Sequence, residues 1–298
     1  MTSDETIGET TGKTAVLAAQ VDRLIDYVDE QIELLALDAP APDLLRQMVE
    51  SLADERQQSR IRLVESFVQI GEPATPFLLD GIANHPNSVV RRACCNALTN
   101  IGDPLSVPGL VAGLVNDASI GVKSSAAAAL AKIGEPAFEA LRAVLASETA
   151  DEACKGHAAW AIASMSSEVR DRLYRLTSDP SPTVRTAAIG ALAQLVQQSK
   201  APNERALQAI AAALNDASSE VRIESAANLA RLNYQAAYQP LVDGLKDANS
   251  DVRKSVVLAL AKLGNARALA AIAPLKQDPN DAVQRAAELA INQLQLLE

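Results

Sequence analysis

The stretch NDASSEVRIESAANLARL, residues 215–232, contains the unit from which this chain is built. Asp216 opens a short polar turn, and Val221-Arg222 then begins a predicted helix of small and apolar residues. The same order of residues recurs along the chain. Clear copies lie at 117–123, 179–185, 247–253 and 278–284, and looser copies lie at 54–60, 85–91 (with His in the Asp place) and 149–155 (with Thr there). The pattern therefore predicts a repeat protein.

The basic position of each copy gives the length of the repeat. It is occupied by Arg60, Arg91, Lys123, Lys155, Arg185, Arg222 and Arg253, with Gln284 in the last copy. Successive positions are 31, 32, 32, 30, 37, 31 and 31 residues apart. A fixed period in this range is typical of helical repeat arrays, in which each repeat contacts only its neighbours. We therefore predict an all-α, right-handed α-solenoid of about eight repeats, each a helical hairpin.

Most repeats carry a carboxylate and a cation at fixed places, and half of the copies add a glycine. The turn Asp can accept hydrogen bonds from the backbone N–H groups that open the second helix. The basic residue six positions later can reach the Asp of a neighbouring repeat, which predicts a ladder of ion pairs along the array. A glycine follows the second helix as a predicted left-handed C-terminal cap at Gly71, Gly102, Gly134 and Gly264.

The chain divides into three predicted segments. Residues 1–13 are polar and are expected to be a disordered tail. Residues 14–40 contain a predicted amphipathic helix with an acidic face, which suits a helix that caps the array. The alternative is that this helix is a segment that binds a partner. Residues 41–298 form the predicted repeat array.

The composition excludes several classes of protein. A formal net charge of −10 disfavours nucleic acid, whose binding depends on concentrated Lys and Arg. No apolar run approaches the roughly 20 residues of a membrane span, and the N-terminus lacks the pattern of a secretory signal. Three cysteines give no disulfide framework, which favours a reducing compartment. We therefore expect a cytoplasmic protein that does not bind nucleic acid and does not span a membrane.

The sequence carries no catalytic or metal-binding motif. It lacks a phosphate-binding glycine loop, a nucleophile elbow and an HExxH pattern. Only His85 and His157 are present, and Cys94 and Cys95 are adjacent rather than spaced as a zinc-binding pair. We therefore predict no catalytic residue and no metal site, and we expect function to lie on the surfaces of the array.

The second helices are predicted to line the concave face. Positions one, two, five and nine after the basic residue point there, and in the fourth repeat the first three are Gly156, His157 and Trp160. The Trp can stack on a ligand, the glycine permits close approach, and cations can meet ligand carboxylates. The predicted ligand- or partner-binding set is Trp160, His157, Gly156, Asn96, Arg92, Lys132, Arg231 and Lys254.

Each of these residues also has an ordinary structural interpretation. Trp160 can pack between repeats, and His157 can be a surface residue. The three cysteines, with Cys154 in the place that Val holds elsewhere, are expected to be small core residues rather than reactive thiols. The inner cations, among which we also place Lys123, can be solvated charges instead of ligand contacts.

The repeats resemble HEAT repeats, and their short Asp to Val-Arg turns resemble those of the phycobilin lyase family of cyanobacteria from about residue 42 onward. The segment HAAWAIASM, residues 157–165, is similar to a helix of one lyase subunit type. The family includes lyases that attach or remove open-chain tetrapyrroles at cysteines of phycobiliproteins, and a lyase-like protein needed for phycobilisome degradation. A cyanobacterial HEAT relative partners an iron–sulfur scaffold.

The resemblance implies two functions. The first is a phycobilisome-associated, lyase-like protein of the degradation type, which binds phycocyanobilin or a phycobiliprotein subunit in its concave groove and promotes detachment of the chromophore. The second is a non-enzymatic adaptor for a protein partner such as an iron–sulfur cluster scaffold, with Cys94 and Cys95 as the residues to probe. The sequence leaves open whether the chain is an enzyme, whether it attaches or detaches a bilin, and its oligomeric state.

Overall fold

A computed structural model describes residues 4–34, 40–165, 169–199 and 203–296, and these residues form helices and turns without a strand. The α-helices are α1 (Asp4–Glu33), α2 (Pro42–Ser51), α3 (Gln57–Ile70), α4 (Thr75–Asn84), α5 (Ser88–Ile101), α6 (Val107–Asn116), α7 (Ile120–Ile133), α8 (Phe138–Ala146), α9 (Glu152–Ser164), α10 (Arg170–Leu176), α11 (Pro182–Gln198), α12 (Glu204–Ala212), α13 (Ser219–Arg231), α14 (Tyr238–Gly244), α15 (Ser250–Leu263), α16 (Ala268–Ile272) and α17 (Asp281–Gln295). Short 3₁₀ helices flank several first helices, at Glu72–Ala74, Pro104–Ser106, Glu135–Ala137, Ala213–Asn215, Gln235–Ala237 and Ala273–Gln277.

The helices after α1 pair in chain order, from α2 with α3 to α16 with α17. Second helices also pack on the second helices of adjacent repeats, as α3 does on α5, α5 on α7, α13 on α15 and α15 on α17. The predicted all-α array of eight helical hairpins is confirmed. Contacts divide the chain into unit 1 (residues 1–144 and 149–161) and unit 2 (residues 145–148 and 162–298).

The core of each unit is built from the same two places of successive repeats. The apolar residue before the basic position is buried at Val90, Val122, Val184, Val221, Val252 and Val283. The residue seven positions after the basic one is buried at Leu98, Leu130, Leu192, Leu229 and Leu260. Burying a side chain of this size stabilises the folded state by about 1.5–3 kcal/mol. The repeat pattern therefore specifies the core as well as the helix pairs.

Ion pairs join the second helix of one repeat to the turn of the next. In unit 1, Arg91 donates from Nε to Asp117 Oδ2 at 2.7 Å and from Nη2 to Oδ1 at 2.9 Å. In unit 2 the pairs Arg185–Asp216, Arg222–Asp247 and Arg253–Asp278 repeat this two-pronged geometry, each with a contact of 2.7 Å. The side chains in these four pairs are only 6–15% exposed. The predicted ladder is confirmed at these repeats.

Each arginine of the ladder also binds its own turn, so one side chain holds two successive loops. Arg222 donates from Nη1 to the carbonyl of Asp216 at 2.8 Å while its other nitrogens hold Asp247. The Asp216 carboxylate accepts the N–H of Ser218 at 2.8 Å, and Ser218 is the N-cap residue of α13. The sequence predicted that the Asp accepts the first N–H groups of the helix. This is wrong for Asp216, because its carboxylate binds the N–H of the N-cap residue, which precedes the helix.

His85 shows how a different residue can fill the Asp place. Its Nδ1 accepts the backbone N–H of Asn87 at 3.1 Å, as the Asp carboxylate does in other repeats. Asn87 in turn caps α5 by accepting the N–H of Val89 at 2.9 Å. The turn survives the substitution because an imidazole nitrogen can accept the same hydrogen bond.

The first helix packs on α3 through both apolar and charged contacts. Ile25 and Val28 are buried, and Arg62 donates to Asp29 at 2.7 Å. The helix runs from Asp4 to Glu33, which differs from the expected division into a tail of residues 1–13 and a helix of 14–40. Residues 1–3 and 35–39 of those segments lie outside the described residues.

The predicted glycine caps adopt the backbone conformation that requires glycine. Gly102 and Gly264 have φ angles of 71° and 68° and follow α5 and α15 in the left-handed region. Gly71 and Gly134 also have positive φ.

In the described ranges, no helix is both long and apolar enough to cross a membrane.

Replacing Asp216 by Asn tests the ladder. An amide still accepts the Ser218 N–H but leaves the Arg185 guanidinium without its counter-charge, so we expect a loss of about 3 kcal/mol in the free energy of unfolding. The measurement is urea unfolding followed by circular dichroism. Asp171→Asn is the control because its pair with Arg205 is 82% and 68% exposed, and its effect should stay below about 1 kcal/mol. Equal effects of the two substitutions would contradict a buried ladder.

The ladder also predicts how stability depends on pH. Hydrogen bonds from Arg91, Arg185 and Arg253 lower the pKa of Asp117, Asp216 and Asp278 below the ordinary value of 3.8. A carboxylate whose pKa is lowered by folding stabilises the folded state at pH values above its pKa in the unfolded chain. This contribution is lost as the pH falls through its pKa in the folded protein. The urea concentration at the midpoint of unfolding should therefore decrease as the pH is lowered below about 4. The decrease should be steeper for the parent protein than for Asp216→Asn. Parallel curves of urea midpoint against pH would show that Asp216 does not contribute to the pH dependence of stability.

Candidate functional site

The predicted site residues of the fourth repeat lie on the accessible side of α9. Trp160 keeps 48% of its surface exposed, so the indole is not sealed between repeats. Gly156 lies one turn before it, and a Cβ atom added there would meet no atom within 4 Å. His157 is half-buried. The indole is therefore open to solvent, one helical turn from a glycine.

The other face of α9 explains this orientation. Cys154, Ala158 and Ala161 are buried at 1% exposure or less. Residues three and four apart lie on the same side of a helix, so these three residues form the packed side. Gly156 and Trp160, which are also four apart, lie on the side that remains free. The burial of Cys154 thus sets the direction of Trp160.

The neighbouring second helices place polar residues at the equivalent positions. Arg92 and Asn96 of α5 and Lys132 of α7 are exposed. We call these residues, together with Gly156 and Trp160, the unit 1 face. The sequence prediction was wrong for the second position of α5, because Ala93 is only 7% exposed. Position two turns inward there, while positions one and five stay outside.

The two cations of the unit 1 face are not paired with carboxylates of the described residues. Neither Arg92 nor Lys132 forms an ion pair with any residue that the structure describes. Packed helices lie roughly 10 Å apart, and α9 follows α7 in the array, so Lys132 is the cation of the helix next to Trp160. The face can therefore offer an aromatic surface and an ammonium group to one ligand.

The remaining predicted cations lie in unit 2 and have partners within it. Arg231 donates to Gln197 Oε1 at 3.3 Å and also to Asn228 Oδ1. Lys254 is half-buried and lies 3.5 Å from Asp251. Near them Leu258 is 48% exposed. These two cations are less available to a ligand than Arg92 and Lys132.

The adjacent cysteines belong to the core. Cys94 and Cys95 have no exposed surface, and burial raises the pKa of both thiols, that of Cys95 to about 12. Within the described residues, no three His, Cys, Asp or Glu side chains lie where they could hold a metal ion. The cysteines are packed side chains, as expected, and do not offer the surface thiols that an interaction with a cluster would need.

Lys123 and Cys154 form a buried contact that the sequence did not predict. The expectation that Lys123 faces a ligand is wrong, because its side chain is only 11% exposed. Its Nζ lies 3.1 Å from Cys154 Sγ and 3.2 Å from Asp151 Oδ2. The available signal was its place in the ladder, where the equivalent arginines bind the next repeat.

A recess elsewhere in unit 1 lies outside the predicted set. A cavity of about 460 Å³ opens between α1 and the turn after α2, with Leu17, Val21 and Ala53 on its apolar walls and Arg56 at its rim. Arg56 is held there by Asp54 at 2.7 Å and Asp22 at 2.9 Å. The cation is thus occupied by two carboxylates, so this recess offers apolar surface but less free charge than the unit 1 face.

Two glycine-to-alanine substitutions test where the surface is open and where helices pack closely. Gly156→Ala adds a methyl group where the structure has open space, and alanine favours a helix by about 1 kcal/mol over glycine. Gly81→Ala would place a Cβ 2.8 Å from Cys94 Sγ and 3.0 Å from Val49 Cγ1. We expect the first variant to melt higher than the parent protein and the second to lose about 1–3 kcal/mol.

Thermal unfolding by calorimetry or circular dichroism distinguishes the two variants. A lower melting temperature for Gly156→Ala would show that this side of α9 is packed rather than open. An unchanged Gly81→Ala protein would show that α4 and α5 do not approach as closely as the structure indicates.

Comparison with known proteins identifies the repeat and one relative. The model of HEAT repeats matches residues 32–131, 75–154, 139–219 and 206–292. The bilin biosynthesis protein MpeU of Synechococcus sp. (strain WH8020) is 40% identical to this chain over 189 residues. The aligned region spans 63% of this chain and 63% of MpeU.

Solved structures show the same architecture at low identity. The structure of the Pds5-Scc1 complex matches with a TM-score of 0.54 and 12% identity, covering 95% of this chain and 56% of that one. A Kap121p mutant matches with a TM-score of 0.50 and 16% identity, covering 98% of this chain and 39% of that one. These likenesses concern the fold, which is an α-solenoid.

Proposed function

The chain belongs to the HEAT-repeat family, and from this we propose that it is a phycobilisome-associated, lyase-like protein that handles a bilin. In this proposal it binds phycocyanobilin, or the phycobiliprotein subunit that carries it, and promotes detachment of the chromophore during phycobilisome degradation. Support comes from the 40% identity to MpeU, whose name places it in bilin biosynthesis. HEAT-type arrays present extended surfaces of the kind used to bind other proteins.

The observation that carries the proposal is the open indole of Trp160. A bilin is an open-chain tetrapyrrole with flat conjugated rings and two propionate groups. Flat rings stack favourably on an indole, and Gly156 leaves room for a ring to approach the helix. Lys132 and Arg92 are available for propionates, and charge-assisted hydrogen bonds of this kind are the stronger ones. The unit 1 face therefore has the chemical groups that a bilin requires.

Detachment needs little chemistry from this chain. Breaking the thioether leaves the electron pair on the phycobiliprotein sulfur, which takes up a proton, and the neighbouring bilin carbon loses a proton as a double bond forms. No electrons enter or leave, and the thiol belongs to the phycobiliprotein. His157, half-buried beside Trp160 on α9, is the residue that we assign to hydrogen bonding or proton movement. The role of the face is to bind and orient the bilin.

The test is binding of phycocyanobilin and of phycocyanin by the purified protein, followed by visible absorbance and gel filtration. The parent protein should shift the bilin spectrum or form a complex with phycocyanin. Trp160→Ala should weaken binding about tenfold, since loss of one stacking contact is worth about 1.4 kcal/mol. The matched control is Leu105→Ala, because Leu105 is also a large exposed residue of unit 1, at 80% exposure, but belongs to the 3₁₀ helix Pro104–Ser106 and not to a second helix.

Two other outcomes would lead away from the proposal. An unchanged spectrum with no complex would contradict the proposal. A complex with phycocyanin that leaves the spectrum unchanged and is unaffected by Trp160→Ala would favour an adaptor that recognises protein alone. An adaptor for an iron–sulfur scaffold that uses Cys94 and Cys95 would need both side chains to leave the core, so the structure offers no support for that version.

A further inference from the structure

The side chains of Lys123 in α7 and Cys154 in α9 are in direct hydrogen-bond contact. Lys123 Nζ donates to Cys154 Sγ at 3.1 Å, to Asp151 Oδ2 at 3.2 Å and to the Val115 carbonyl at 3.3 Å. Cys154 Sγ also donates to the Leu114 carbonyl at 3.3 Å. These hydrogen bonds hold a primary amine and a thiol, two reactive groups, in direct contact.

The contact replaces two ordinary features of the repeat. The other confirmed steps of the ladder use a two-pronged arginine and an Asp in the turn, while the residue before the basic position is Val in six repeats. At this junction a lysine provides one nitrogen, Thr149 stands in the Asp place, and Asp151 supplies the carboxylate two residues later. Cys154 stands in the Val place. The lysine nitrogen thereby gains a sulfur neighbour that no valine could provide.

We propose that Lys123 and Cys154 form a reversible N–O–S crosslink when the protein meets dioxygen. The ammonium, the thiol and one dioxygen give the bridged product, one water and one proton. Sulfur and nitrogen each lose two electrons, and the two oxygen atoms gain four in total. One oxygen becomes the bridge and the other becomes water. The proton passes to Asp151, whose side chain is 60% exposed and can release it to solvent.

The separation of the two atoms favours an oxygen bridge over a direct bond. An oxygen bonded to both atoms spans nearly the distance already present between Nζ and Sγ, so neither helix has to move far. A direct S–N bond would require the atoms to approach much more closely. The site is also reachable by a small oxidant, because the Lys123 side chain is 11% exposed and its partner Asp151 lies at the surface.

The crosslink would tie α7 to the start of α9. It joins residues 31 positions apart, which restricts the unfolded chain and thereby raises stability. It also removes the charge of Lys123 from Asp151. Because α9 carries Trp160, the oxidised protein would hold the unit 1 face more firmly than the reduced protein. The crosslink itself does not depend on the proposed bilin function.

Mass spectrometry of the full chain tests the proposal. Protein kept in air is compared with protein treated with dithiothreitol, and both are digested. We expect a linked pair of peptides that contain Lys123 and Cys154, heavier than their sum by one oxygen and lighter by two hydrogens, and lost on reduction. Lys123→Arg and Cys154→Ser should each abolish the linked pair. Cys95→Ser is the control and should retain it.

Other products overturn the proposal. These are a linked pair without the added oxygen, a sulfenic or sulfinic Cys154 that is not joined to Lys123, or no modification after prolonged exposure to air. The melting temperature gives a second readout. It should fall on reduction in the parent protein and stay unchanged in Lys123→Arg, which keeps a cation for Asp151. The parent protein alone decides the chemistry, even where a variant folds poorly.

Discussion

The array depends on one constraint, which is supplied by the ladder arginines Arg91, Arg185, Arg222 and Arg253. In Arg222 one guanidinium binds the carboxylate of the next turn through two nitrogens and a carbonyl of its own turn through the third. Lysine has one nitrogen and cannot hold a carboxylate through two nitrogens while a third binds its own turn. Because the turn carboxylate simultaneously accepts a backbone N–H, as Asp216 does from Ser218, the loops before α7, α13, α15 and α17 are fixed in relation to the preceding second helix. Non-directional packing of Ala and Leu could not set this register alone.

The register decides which residues reach the surface. When each second helix starts at a fixed turn, the residues one and five positions after the basic residue fall on the side away from the core. In α9 these residues are Gly156 and Trp160, and in α5 they are Arg92 and Asn96. The proposed binding surface thus depends on how the turns are held, by Arg91 with Asp117 before α7 and by Lys123 with Asp151 before α9. A protein of this kind can change its ligand by changing these positions without changing its fold.

The repeated features were predictable from the sequence, and the exceptions were not. Period and residue type determine the helix pairs, the ladder and the glycine caps, since each copy supports the others. The sequence placed His85 in the Asp position, but the hydrogen bond by which it replaces the Asp had to be seen in the structure. Lys123 was placed on the wrong side because the carboxylate that holds it, Asp151, is displaced by two residues from the usual place. The exposure of Trp160 required coordinates, because an Ala-rich helix has little contrast between its two faces.

The chain contains a single tryptophan, so its fluorescence reports on the proposed site alone. Titration with phycocyanobilin, with correction for absorbance by the bilin, measures whether that indole meets the ligand. Binding at the unit 1 face predicts saturable quenching of Trp160 emission, and Lys132→Ala should shift the saturation point to a higher bilin concentration. Emission that stays constant while the bilin is bound elsewhere, or that shows no saturation, would contradict the assignment of this face.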